Sequence, residues 1–72
     1  MTIRRYAIVI ENAGANYSAY VPDLPGCVAA GATLEETRAN MRGAIDLHLR
    51  GMVEDHEPIP EPSSQVGVVE VG

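Results

Sequence analysis

The sequence predicts an α+β fold, a small antiparallel sheet with one helix on one face, in the order strand-strand-strand-helix-strand. Three observations carry this. Alternating apolar residues run through 3–11 and resume at 17–21, with a Gly14- and asparagine-rich turn between them. A double-proline reversal, Pro22-Asp-Leu-Pro-Gly26, follows at once. Thr33 and Glu36 then stand three apart at the head of an apolar stripe of helical period.

Residues 3–11 put Tyr6, Ile8 and Ile10 on one face of an extended chain and Arg5, Ala7, Val9 and Glu11 on the other. Branched and aromatic side chains favour a strand there. Asn12 to Asn16 is turn chemistry, because glycine and asparagine tolerate positive φ. Residues 17–21 return as the second strand of a hairpin, and Pro22 ends it by removing a backbone donor. Pro25-Gly26 reverses the chain again, and the small apolar run 27–30 makes a third strand.

Gly31 releases that strand, and Thr33 with Glu36 forms a capping box. Glu35 and Glu36 add negative charge at the positive end of the helix dipole. Leu34, Thr37, Met41, Ala44, Ile45, His48 and Met52 then share one stripe, with Arg38 laying its stem along the edge. Leu47 points away from it between Gly43 and Gly51. Glu57-Pro-Ile-Pro-Glu-Pro62 cannot continue a helix and reads as a stiff extended strap back to the sheet. Residues 66–71 alternate once more and are expected to form a fourth strand, or a tail where no edge is free.

A chain of 72 residues is a single small domain, and chains near that size bury only about 60% of their unfolded surface. Such folds need reinforcement. Cys27 is the sole cysteine, so an intrachain disulfide is impossible, and Cys27, His48 and His56 have no zinc spacing. Self-association, as a homodimer or larger, is the remaining staple. The net charge of -5, without a single lysine, argues against a phosphate-binding face. It is compatible with a basic partner, although simple solubility is the more ordinary reading of such a balance. No signal-peptide core or membrane-length apolar run is present, so a soluble cytoplasmic protein without membrane contact is expected.

No catalytic constellation emerges. Glu11, Asp23, Glu35 and Asp46 fall on a strand end, a turn, a helix cap and a solvent face, where solvated or capping carboxylates are the ordinary case. Cys27 would need a histidine beside it, and His48 lies on the core side of the helix. A small strand cysteine is usually inert packing. No phosphate-binding glycine pattern, cofactor site or metal cluster is present. Tyr17 and Tyr20 project to opposite faces of their strand, one toward the core and one toward the surface.

The run Tyr20-Val-Pro-Asp-Leu-Pro-Gly-Cys27, then Gly31-Ala-Thr-Leu-Glu-Glu36, then the exit Glu54-Asp-His-Glu-Pro-Ile-Pro-Glu-Pro62, resembles the HicB-type antitoxin family over nearly the whole chain. Ala32 and Thr37 stand where relatives more often carry an acidic residue and alanine. The resemblance implies a partial ribonuclease-H-like fold in the same element order. It also implies an antitoxin that binds and occludes a small basic mRNA-cleaving toxin of the HicA type. The metal-binding acids of the fold's enzymatic relatives have no counterpart here, so no enzyme is expected. Many relatives carry a further DNA-binding segment after this domain. The sequence stops at Gly72 without one, so direct operator binding is not expected.

An interface aromatic, a rigid turn and a helix-start carboxylate are the natural contact chemistry. The expected partner-binding residues are therefore Tyr17, Tyr20, Asp23, Leu24 and Glu35. The alternative function is a self-associating regulatory or small-molecule-binding module with no toxin.

Overall fold

The structure is a computed structural model that describes residues 3–72. Three strands, β1 (Val9–Ala13), β2 (Asn16–Tyr20) and β3 (Val28–Gly31), precede one helix, α1 (Leu34–Glu54). The strands form an antiparallel sheet in the order β1-β2-β3. The expected α+β class is observed, with the helix on one face of the sheet.

The hairpin register pairs Val9 with Tyr20 and Ala13 with Asn16. Gly14 closes its turn at φ 82°, and its amide donates to the Asn12 side chain at 3.1 Å. β1 is shorter than the alternation implies. It begins at Val9 because its partner strand ends at Tyr20: the Val21 amide turns to the Cys27 carbonyl, and Pro22 has no amide to offer. Residues 3–8 lie outside the ladder, yet Tyr6 and Ile8 still pack against the core.

β2 pairs with β3 from Tyr17↔Gly31 to Tyr20↔Val28. The odd-numbered positions Tyr17, Ala19 and Ala29 face the helix, and the core is built on that side from Ala19, Val21, Leu24, Cys27 and Met41. Thr33 caps the helix, its Oγ1 accepting the Glu36 amide at 3.0 Å. The Asn40 side chain donates to the Ala30 carbonyl at 2.8 Å, tying the helix to β3.

The stripe read from the sequence matches the buried side of α1 at Thr37, Met41, Ala44, Ile45, His48 and Met52. Leu34 departs from it and is exposed, because the first helical residue stands beyond the end of the sheet. Leu47 is exposed, as expected. Asp46 and Arg50 pair at 3.1 Å on the solvent side, an exposed i,i+4 pair worth about 0.3 kcal/mol.

The helix ends in two bonds that reach back into its last turn. The His56 amide donates to the Val53 carbonyl at 3.1 Å and the Glu57 amide to the Met52 carbonyl at 2.9 Å. His56 takes the left-handed position at φ 57°, where glycine is the usual occupant.

The fourth strand is not formed. Residues 66–71 have no ladder partner, and their four valines are 80 to 91% exposed. Alternation makes a segment fit for a strand, but pairing needs an edge within reach. The chain is held just before this segment, at Ser63 and Ser64, and nothing anchors it afterwards.

Candidate partner-binding surface

The reversal after β2 is organised around Leu24. Its amide donates to the Val21 carbonyl at 3.1 Å, its carbonyl accepts the Cys27 amide at 3.1 Å, and Gly26 supplies the positive φ of 84°. This folds the Leu24 side chain inward to 0% exposure. Leu24 is thus a core plug, and the backbone and Asp23 are what the turn displays.

Asp23 is itself engaged by the strap. The Ser64 amide (3.0 Å) and hydroxyl (2.8 Å) and the Ser63 amide and hydroxyl (both 3.0 Å) all donate to its carboxylate. These bonds, the Ser64 amide foremost, hold the Asp23 carboxyl down at about 2. A second tie fixes the strap three residues before Ser63, the Tyr6 hydroxyl donating to the Pro60 carbonyl at 2.6 Å. The strap therefore returns to the sheet as expected, but it ends on a turn and not on a strand edge.

The face of the sheet opposite α1 carries Val9, Tyr20 and Val28 side by side in one cross-strand row, set by the two registers. Tyr20 is 44% and Val28 65% exposed. The next row on that face is Glu11, Ser18 and Ala30, so the apolar row has an acidic and polar border. Nothing in the described chain covers it.

The five expected contact residues do not converge. β2 places Tyr17 beside Gly31, at the helix-start end of the sheet and on the helix side, half-buried. Glu35 is exposed in the first helical turn near that same end. Tyr20, Asp23 and Leu24 belong to the opposite end, roughly 10 Å further along β2 at a strand's rise per residue. Val9 and Val28, which complete the row around Tyr20, were not singled out in the sequence. Their alternation with Tyr20 was visible, but which residues stand abreast depends on the register.

Two further groupings arise only in three dimensions. Cys27 and His48 line one shallow groove of about 300 Å³. Burial pushes the Cys27 thiol up, away from the thiolate that nucleophilic chemistry requires. Separately, Arg4, Arg5, Arg38 and Arg42 gather around a second groove. The sequence signal for it was an Arg-Arg pair before β1 and an i,i+4 arginine pair on the helix. Among the described residues no group of three or more metal-ligating side chains occurs, and no helix is long and apolar enough to cross a membrane.

The fold and its surface define a one-helix α+β module, closed on the helix side and open on the other. The chain belongs to the family described as "HicB_like antitoxin of bacterial toxin-antitoxin system", whose model matches residues 6–70. It is 46% identical over 56 residues to an uncharacterized 14.9 kDa protein of Haemophilus phage HP1, covering 78% of this chain and 42% of the phage protein. It is 33% identical over 60 residues to a UPF0150 protein of Synechocystis, covering 82% of this chain and 76% of that one. A UPF0150 protein of Helicobacter pylori is 43% identical over 47 residues, 65% of each chain. The chain thus spans less than half the length of the phage relative.

Proposed function

We propose that this chain is the toxin-binding part of an antitoxin, which neutralises a small basic mRNA-cleaving toxin of the HicA type in the cytoplasm by occluding it. It performs no catalysis of its own. The observation that carries this reading is the uncovered Val9–Tyr20–Val28 row, an apolar strip with a tyrosine at its centre on an acidic chain. Interface cores favour such aromatic anchors, and a negative field speeds encounter with a basic partner. Tyr20 is the central contact, with Asp23 and Glu35 contributing charge, while Tyr17 lies on the helix side and supports the sheet from behind. Leu24 acts by holding the turn. The same chain associates with itself, which supplements a core of five buried apolar side chains among the described residues.

Co-expression with the product of the neighbouring small open reading frame tests the reading. A tight complex with a short basic protein, weakened by Tyr20→Ala and Val28→Asp at unchanged melting temperature, is the expected result. A homo-oligomer that ignores that protein would replace it with the toxin-free module.

A further inference from the structure

Four of the five cations of an acidic chain surround one groove. Arg4 and Arg5 come from the segment before β1, Arg38 and Arg42 from successive turns of α1, and the space between them is about 380 Å³. Its floor is apolar, made by Ile8, Met41 and Ile45. Among the described residues the one ion pair is Asp46–Arg50, so these four guanidiniums have no carboxylate within 4.0 Å. Gathered like charges repel, and guanidinium forks are suited to bidentate carboxylate contacts.

The same chain carries a segment of matching chemistry. Residues 66–71 are apolar, exposed and unpaired, and Glu70 sits between Val69 and Val71. Arg4, Arg5, Tyr6 and Ile8, which line one side of the groove, belong to a segment without a ladder partner. Removing the four groove arginines from the net charge of -5 leaves -9 on the rest of the molecule. To this groove, any other copy is an acidic body.

We propose that the arginine groove seats residues 66–71 of a second copy, valines on the apolar floor and Glu70 among the guanidiniums. This rests on the self-association in the reading above and not on toxin capture. A nucleic acid fits less well, because the floor of Ile8, Met41 and Ile45 suits apolar side chains and offers nothing to a phosphate chain.

Sedimentation of the full chain over a concentration series, at about 50 and about 500 mM salt, tests the proposal. The wild type is expected to self-associate and to loosen at high salt. Arg38→Glu/Arg42→Glu and, separately, Val68→Ser/Val69→Ser should each weaken association at least about tenfold, because buried charge pairs and apolar anchors dominate such contacts. All four residues are exposed, so the fold should survive, with the melting temperature as control. Adding Glu70→Arg to the arginine double variant should restore association. A wild type that is monomeric throughout, or an oligomer indifferent to both double variants, overturns the proposal. So does loss of oligonucleotide binding by the arginine variant with self-association intact. Toxin capture measured on the same variants should be unchanged by the arginine pair, which separates failure here from failure of the antitoxin reading.

Discussion

Gly31 and Thr37 are in such close contact that a Cβ added to the glycine would lie 2.7 Å from the Thr37 amide nitrogen and 2.8 Å from its Oγ1. Thr37 is fully buried, its hydroxyl donating to the Thr33 carbonyl at 2.7 Å. The end of β3 and the first turn of α1 are thereby joined at one point. This is the position where the family resemblance had placed an alanine more often than a threonine.

Gly31→Ala should therefore destabilise the chain by about 1–3 kcal/mol, the usual cost of overpacking. Thr37→Ala should not rescue it, since the nearest obstacle is the backbone nitrogen and not the side chain. Thermal melts of the two single variants and the double variant check this. Full recovery in the double variant would mean that the hydroxyl alone sets the limit.

The Asp23 clasp should open in acid. Its carboxyl is held at about 2 against an ordinary 3.8, so the folded form favours the ionised state. The contribution is complete above about 3.8 and disappears as the pH falls through about 2. The protection of the Ser63 and Ser64 amides against hydrogen exchange, taken relative to the intrinsic rate at each pH, should fall over that window, ahead of that of the β2 amides. Asp23→Asn, which puts donors where acceptors are needed, should produce the same local release at neutral pH.

Leu24 and Tyr20 lie four residues apart but should behave oppositely. Leu24→Ala empties a fully buried site and should cost about 2–5 kcal/mol of stability. Tyr20→Ala removes an exposed aromatic and should leave the melting temperature nearly unchanged while weakening toxin binding at least about tenfold. Calorimetry of both variants, alone and with toxin, distinguishes turn plug from contact.

His56 occupies a left-handed helix-terminating position, which costs a non-glycine residue roughly 1–2 kcal/mol. His56→Gly should recover part of that cost and raise the melting temperature by several degrees, on the order of 4–8 °C per kcal/mol for a domain this small. His56→Ala should not. An equal effect of the two would trace the change to the imidazole and not to the backbone.

The legible parts of the fold were local. The hairpin turn at Gly14, the Pro25-Gly26 reversal, the Thr33 cap and the helical stripe each depend on residues within a few positions of one another. The unlit parts were all long-range. The strap reads as an extended path from its prolines, but nothing in Asp23 or Ser64 announces that they meet 41 residues apart. The arginines of the groove likewise come from two distant stretches and join only when the helix lies over the segment before β1.

The sequence by itself determined the kind of protein: an α+β chain with a capped helix, a family motif at 20–36 and an acidic balance. Tertiary structure decided which of those residues face outward. Leu24 went to the core, Tyr20 to a row with Val9 and Val28, and residues 66–71 stayed unpaired. The reason is that turn and helix preferences are energies of neighbouring residues. Burial and strand pairing are energies between distant ones, fixed only once the chain has closed on itself.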